Sequence, residues 1–377
     1  MKKRALQLAS VASMIDQFNI PNIEILQSLG YKVDVVADFT NPGTITKDRA
    51  EDLKKRLNDM GVKVYDVAIP RSLNPVAIIK AYRKVRYLLY KKKYNLLHCH
   101  SPIGGVIARQ AAKGLRKSGL KVIYTAHGFH FYDGAPFKNW LIFYPIEKLY
   151  SRFTDVLITI NKEDYKRASE KFKAKKTVYV PGIGVDTEKF KPDENGREKI
   201  RTELGLNDDQ IMLLSVGELN ENKNHSSVIN AIKGISNLTY VIVGKGDLKD
   251  NLEKIAKDNN VDLRLMGFRN DVADFYDAAD VYVLPSIREG LNVSLMEAMA
   301  SGLPVACGRI RGNRDLIDSC LFKPTNTDEI KNSIGQAIEE REKFGQRNLR
   351  KIQSFNLQTV EKLVSEIYRG RLPQKLM

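Results

Sequence analysis

Short apolar runs recur along the chain, separated by longer stretches in which apolar residues fall three and four apart. In the first half the runs predict strands at Arg4–Ala9, Lys32–Ala37, Val62–Val67, Asn95–Cys99, Lys121–Ala126, Asp155–Ile160 and Thr177–Val180. The intervening spacing predicts helices over Ile15–Leu29, Lys47–Met60, Pro75–Lys92 and Ile103–Lys117. Near-continuous apolar strands separated by helices read as βαβ units, hence a parallel sheet covered on both faces. Turn and breaker residues then gather in Pro181-Gly182-Ile183-Gly184 and in Lys191-Pro192-Asp193-Glu194-Asn195-Gly196. The alternation restarts, with strands expected at Ile211–Val216, Thr239–Val243, Asp262–Leu265, Val281–Leu284, Pro304–Ala306 and Leu321–Lys323. A long helical stretch runs from about Asp328 and is extended by Leu357–Tyr368. The expected fold is therefore α/β, with two Rossmann-like, doubly wound parallel-sheet domains over residues 1–182 and 183–355. Residues 356–377 are expected to form a C-terminal helix packing back on the first domain. Open α/β sheets bind ligands beyond the carboxyl ends of their strands, which makes a cleft between the two domains the default active site.

Composition narrows the class. With 377 residues, 43% hydrophobic and 28% charged, the chain can bury two cores and is not disordered. No apolar run approaches the ~18 residues of a bilayer span. Met1-Lys2-Lys3-Arg4 is basic, yet Ala5–Ser10 is too short and interrupted for the core of a signal peptide. Cys99, Cys307 and Cys320 are too few and too scattered for a disulfide framework or a cysteine zinc site. The reading is a reduced, cytoplasmic protein.

The net charge of +16 is unevenly spread. Residues 1–180 hold 33 Lys and Arg against 15 Asp and Glu, whereas residues 181–377 hold 28 against 30. Thirteen cations and no carboxylate occur from Val67 to Tyr132. Such a field attracts a polyanion: nucleic acid, an anionic membrane or a phosphorylated substrate. Within it Asn74 and Pro75 are suited to start a helix. Lys80, Arg83, Lys84, Lys91 and Lys92 are interleaved there with Ile78, Tyr82, Val85 and Leu89, a composition that fits an anionic membrane interface. The same pattern also fits an ordinary helix that shows cations to water. Against nucleic acid, no RNA- or DNA-binding module and no array of stacking aromatics is recognisable.

The sharpest local pattern is Pro285 to Pro304, which follows a predicted strand, loops around Glu289-Gly290 and enters a helix at about Asn292. Glu289 falls in the loop and Glu297 in the helix, eight residues on. The helix start between them offers backbone N–H groups and a positive dipole to a phosphate. Two helix glutamates alone would usually mark a solvated face; the Gly, Pro and small-residue framing makes this pattern more specific.

Glu289-x7-Glu297, with Ala298-Met299-Ala300 and Gly302-Leu303-Pro304, resembles the signature of retaining glycosyltransferase family four, whose GT-B fold pairs two Rossmann-like domains across a cleft. Ser215-Val216-Gly217-Glu218-Leu219 with Lys223, Val243-Gly244-Lys245-Gly246, Tyr124 to Phe131 around His127, and Pro181–Phe190 match further family segments. His98 to Gly105, Gly134 to Trp140 and Ile160 to Tyr165 resemble, more narrowly, bacterial capsular and exopolysaccharide glycosyltransferases.

The resemblance implies transfer of a hexosyl or N-acetylhexosaminyl group, with retained anomeric configuration, from a nucleotide sugar, expected to be a UDP-sugar. The acceptor implied is a lipid-linked saccharide or polyprenyl diphosphate. His127 and Glu289 would be catalytic. Lys223, Gly217, Asn292 and Val293 would hold the donor diphosphate; Glu297, Gly244, Gly246, Phe268 and Arg269 would hold the ribose and base. Met14, Gln17, His100 and His130 are assigned to the acceptor side. His98 reads as structural and His225 as a surface or capping neighbour of Lys223. No cofactor and no metal is expected. The chain departs from the family at Glu218, where an Arg is common, at Asn292, where a Gly is common and an Asn in αL conformation would keep the turn, and at Ser10–Asn19, where a glycine-rich loop is usual. The expected location is the inner face of the cell membrane, as a peripheral protein, with association with other polysaccharide-synthesis enzymes left open. The alternatives are a GT-B nucleotide-sugar isomerase (epimerase) and a non-enzymatic nucleic-acid-binding protein.

Overall fold

The computed structural model describes residues 3–371; Met1 and Lys2 of the basic start, and 372–377 of the expected C-terminal segment, lie outside the described residues. The chain divides into two compact units, residues 1–183 with 360–377, and residues 184–359.

The first unit is built on seven parallel strands: β1 (Arg4–Val11), β2 (Lys32–Asp38), β3 (Lys63–Asp66), β4 (Leu96–His100), β5 (Lys121–Ala126), β6 (Val156–Thr159) and β7 (Lys176–Tyr179), in the order β3-β2-β1-β4-β5-β6-β7. Each strand coincides with a predicted run; the central strands are apolar because they are covered on both faces, whereas the edge strands β3 and β7 are only partly buried. Two cores flank the sheet. One includes Ala5, Val33, Val35 and Leu53, and it is completed by Val360, Val364, Ile367 and Tyr368 of the helix Leu357–Arg369. The other includes Leu6, Leu8, Val85, Ile107 and Phe131.

The second unit has six parallel strands: β8 (Ile211–Val216), β9 (Leu238–Val243), β10 (Asp262–Gly267), β11 (Val281–Leu284), β12 (Val305–Gly308) and β13 (Leu321–Phe322), in the order β10-β9-β8-β11-β12-β13. In both sheets the order reverses beside the first strand. That reversal point is where doubly wound sheets take their ligands.

Three predicted helices differ. The expected Ile15–Leu29 helix is two, Ala12–Phe18 and Ile20–Ser28, separated at Asn19. Asn19 is buried and its amide donates to the Met14 carbonyl at 2.8 Å, so a side chain closes the first helix. The helix predicted over Ile103–Lys117 ends at Ala112, and Leu115–Ser118 forms a separate 3-10 turn. The C-terminal stretch breaks at Glu340 and again at a 3-10 turn, Gln353–Phe355.

Candidate functional site

In the first unit β4 contributes His98 and His100, and His127 follows the end of β5. Register places Gln7 of β1 beside His98, and Thr125 of β5 beside His100. Residues two apart on a strand share a face, so the two β4 rings lie side by side, centroids 4.2 Å apart and tilted by 44°. His98 Nδ1 lies 2.7 Å from the Tyr368 hydroxyl and Nε2 lies 2.8 Å from Thr125 Oγ1. His100 Nε2 lies 3.2 Å from Gln7 Oε1, and its Nδ1 lies 3.1 Å from His127 Nε2. The His127 ring is half-buried, 5.9 Å from the Phe18 ring, at the edge of a cavity also lined by Pro21, Ile25, Ile158 and Val180.

Burial sets the electrostatics of the cluster. It lowers the pKa of His127 to about 4 and that of His98 to about 3, with His127 adding to the effect on His98. Burial, then His98 and His127, hold His100 well below the ordinary imidazole value. All three rings are therefore neutral near pH 7. Ser101, next along the chain, has φ 68° and ψ 149°, a region of backbone space that is nearly glycine-only and costs ~1–3 kcal/mol.

The structure places the expected acceptor-side positions as follows. His100 is only 1% exposed, lines the same cavity and bonds to His127 from beneath. Met14 and Gln17 stand on the helix Ala12–Phe18, Gln17 within the predicted helical stretch and Met14 just before it; Met14 packs on the core, whereas Gln17 is exposed and donates to Thr44 Oγ1 at 3.2 Å. His130 is partly exposed, with its ring 4.6 Å from that of Phe143.

In the second unit the β8 and β11 ends border the reversal point. The loop after β8 carries Gly217 and Lys223, and the loop after β11 carries Glu289. Lys223 Nζ and Glu289 Oε1 are 2.7 Å apart, both side chains largely buried. The expected phosphate cation and the expected sugar-binding carboxylate are thus one ion pair. The Arg311 Nε donates to the Glu289 carbonyl at 3.1 Å and the Asn222 amide to the Arg288 carbonyl at 3.0 Å, which fixes the loop. Arg288 itself is exposed, as is Glu218, which accepts from the Asn220 amide at 2.8 Å.

Asn292 is extended (φ −86°, ψ 124°) rather than αL, and it caps the helix Val293–Ala300. Its Oδ1 accepts from the Leu295 N–H at 2.9 Å and from Ser294 Oγ at 2.7 Å. Val293 is the first residue of that helix. Glu297 follows one turn on; its Oε2 accepts from the Tyr276 hydroxyl at 2.8 Å, and burial raises its pKa. Gly244 and Gly246 serve a contact the sequence did not suggest. A Cβ on Gly244 would meet the Gly217 carbonyl oxygen at 1.8 Å, and one on Gly246 the Leu219 oxygen at 2.3 Å. They let two loops of the protein lie against each other. Phe268 is 65% exposed, whereas Arg269 is forked between Glu203 (2.7 and 3.0 Å) and Asp271 (2.8 Å). His225 is not a surface residue: it is 3% exposed, with Nδ1 3.1 Å from the Tyr240 hydroxyl.

Two family models match the chain, the Glycosyl transferase 4-like domain over residues 22–182 and Glycosyl transferases group 1 over residues 196–351. A putative glycosyltransferase, EpsD of Bacillus subtilis, is 36% identical over 84% of this chain and 81% of its own. The chain belongs to glycosyltransferase family four. This glycosyltransferase is also 28% identical, over 89% of its length and 87% of the relative's, to the Escherichia coli UDP-Gal:alpha-D-GlcNAc-diphosphoundecaprenol alpha-1,3-galactosyltransferase. Among solved structures, Anabaena HepE in complex with UDP superposes with a TM-score of 0.77 at 18% identity, covering 97% of this chain and all of that one. That likeness shows the fold, GT-B, with its two Rossmann-like domains.

Sequence reasoning overlooked two members of the histidine cluster of this glycosyltransferase. Gln7 had a signal, a lone amide inside the apolar strand Leu6-Gln7-Leu8. For Tyr368 the expected return of its helix to the first domain placed it on the right unit, but nothing in the sequence pointed to His98 as its partner.

Proposed function

We propose that this glycosyltransferase moves a sugar from a nucleotide sugar, with UDP as the nucleotide, to a lipid-linked diphosphate saccharide in bacterial exopolysaccharide or capsule synthesis, with retention of configuration. The observation that carries the reading is the Lys223–Glu289 pair beside the strand-order reversal of the second sheet. A departing nucleoside diphosphate develops negative charge, and a preformed cation in a poorly hydrated loop stabilises it. Lys223 supplies that charge; a bound diphosphate competes with Glu289 for it and frees the carboxylate to accept from sugar hydroxyls. Glu297, held by Tyr276, takes the ribose hydroxyls. His127 contacts the transferring sugar. The leaving phosphate accepts the proton of the attacking acceptor hydroxyl, so no protein nucleophile is required. The names of relatives support the donor and acceptor classes: UDP-Gal and an undecaprenol diphosphate acceptor in Escherichia coli, and a diphospho-undecaprenol acceptor in Campylobacter jejuni.

A lipid-linked acceptor places the protein at a membrane. Among the described residues no helix is long and apolar enough to cross one. Lys80, Arg83, Lys84 and Lys91 are exposed on the helix Pro75–Lys92, where Lys92 is partly so. Exposed apolar residues accompany them, Val76, Ile79 and Tyr87 on that helix and Phe137, Leu141 and Leu149 on Phe137–Ser151. Cations beside exposed apolar side chains suit the interface of an anionic bilayer.

The decisive experiment incubates the enzyme with UDP-sugars and a polyprenyl-diphosphate-linked saccharide and reads the product by mass spectrometry and the anomeric configuration by NMR. A retained linkage on the lipid acceptor is expected. Epimerised nucleotide sugar with no glycoside, or an inverted linkage, would overturn the reading. In liposome flotation, recovery with anionic vesicles is expected to exceed that with neutral ones; equal recovery would remove the electrostatic docking.

A further inference from the structure

Tyr368, His98, Gln7, His100 and the half-buried His127 form one hydrogen-bonded network in the first unit, and the orientation of the Gln7 amide assigns its protons. The Gln7 amide donates through Nε2 to the Tyr368 hydroxyl at 3.1 Å and turns Oε1 toward His100 Nε2 at 3.2 Å. An amide oxygen can only accept, so His100 carries its proton on Nε2. His100 is neutral because it is buried beside two other imidazoles, and its Nδ1 is then a bare acceptor. That acceptor lies 3.1 Å from His127 Nε2, so His127 carries its proton there and keeps a lone pair on Nδ1. The other end agrees. Having received the Gln7 N–H, the Tyr368 hydroxyl donates to His98 Nδ1 at 2.7 Å, and His98 donates from Nε2 to Thr125 Oγ1 at 2.8 Å.

We infer that Gln7 and His100 are positioning residues that lock His127 in the Nε2–H tautomer, so that His127 meets its substrate through Nδ1 as a hydrogen-bond acceptor. The group it selects is a hydroxyl, which can donate, and not a carbonyl or phosphate oxygen. Tyr368 ties the tautomer to the helix Leu357–Arg369, which is distant in sequence from every other member of the network. The part concerning substrate rests on the proposed contact between His127 and the sugar; the part concerning the tautomer does not.

The test is NMR of the full chain labelled with ¹⁵N-histidine at pH 7, where protonated and bare imidazole nitrogens have well-separated shifts. His127 is expected to show a bare Nδ1 and a protonated Nε2; the opposite pattern in the wild-type protein overturns the inference without need of any variant. In His100→Leu the acceptor is gone, and His127 should become a mixture of tautomers while kcat falls roughly tenfold to a hundredfold. In His100→Asn the Oδ1 takes the place of Nδ1, and both the His127 spectrum and most of kcat should return. An unchanged His127 spectrum in His100→Leu overturns the locking role. Full turnover by His127→Ala, with the expected His127 pattern observed in the wild-type protein, would instead strike the substrate contact and leave the locking in place.

Discussion

At the scale of single residues, buried imidazoles govern the response to acid. His98, His100, His127 and His225 all have lowered pKa values, with His127 and His225 at about 4. A group whose pKa is lower in the folded than in the unfolded chain binds fewer protons when folded, so stability falls as pH drops below the unfolded value. Unfolding midpoints should be flat above about pH 7 and decline between about 6.5 and 4, each histidine contributing at most ~1.4 kcal/mol per pH unit. Denaturant titrations at several pH values would show this, and substitution of His225 by Phe should flatten part of the slope. The Lys223–Glu289 pair gives a second expectation. Glu289→Ala should bring transfer to background with the fold intact, whereas near-normal turnover would remove Glu289 from the chemistry. Lys223→Ala should mainly weaken donor binding, by ~2–4 kcal/mol, because it leaves Glu289 facing a diphosphate; calorimetry with UDP would measure it. His127, Glu289 and Lys223 could be singled out in the sequence because the segments around them resemble family motifs, not because of their own local pattern. The burial of His100 and His225 was not, since nothing local to either distinguishes a ring under a loop from one at its surface.

At the scale of elements, strand positions were readable almost to the residue, because burial on both faces leaves little room for polar residues. Breaks within helices were not. The division at Asn19 depends on a side-chain bond that forms only when the segment is buried. The Gly244 and Gly246 turn illustrates the same gap. The pattern resembled a nucleotide-approaching turn, yet the nearest neighbour of a Cβ at Gly244 is the backbone of the adjoining loop. A rotamer change cannot relieve a clash with a carbonyl oxygen. Gly244→Ala should therefore destabilise the protein by ~3 kcal/mol or more, at the high end for a point substitution, and shift the loop carrying Lys223. Urea unfolding and UDP affinity should both register the change.

At the scale of the whole molecule, the charge is the most informative property of the sequence. The +16 belongs to the first half of the chain, and its acid-free stretch includes the helix Pro75–Lys92. If that face meets an anionic membrane, flotation should weaken as salt is raised through 0.1–0.5 M, since screening shortens the reach of surface charge to a few ångströms. Replacing Lys80, Arg83 and Lys84 together by Glu should abolish it while leaving turnover on a short-chain soluble acceptor unchanged.

The helix Leu357–Arg369 belongs to the first unit mainly through its residues from Val360 onward, yet it is synthesised after the whole of the second. On the ribosome the first sheet must therefore wait, with the apolar surface beneath Val360, Val364 and Ile367 uncovered, until the second unit has been made and that helix has emerged. A nascent chain arrested before Leu357 should bind chaperones and be cleaved readily by protease within its first 183 residues. Supplying residues 357–371 as a separate peptide should restore resistance.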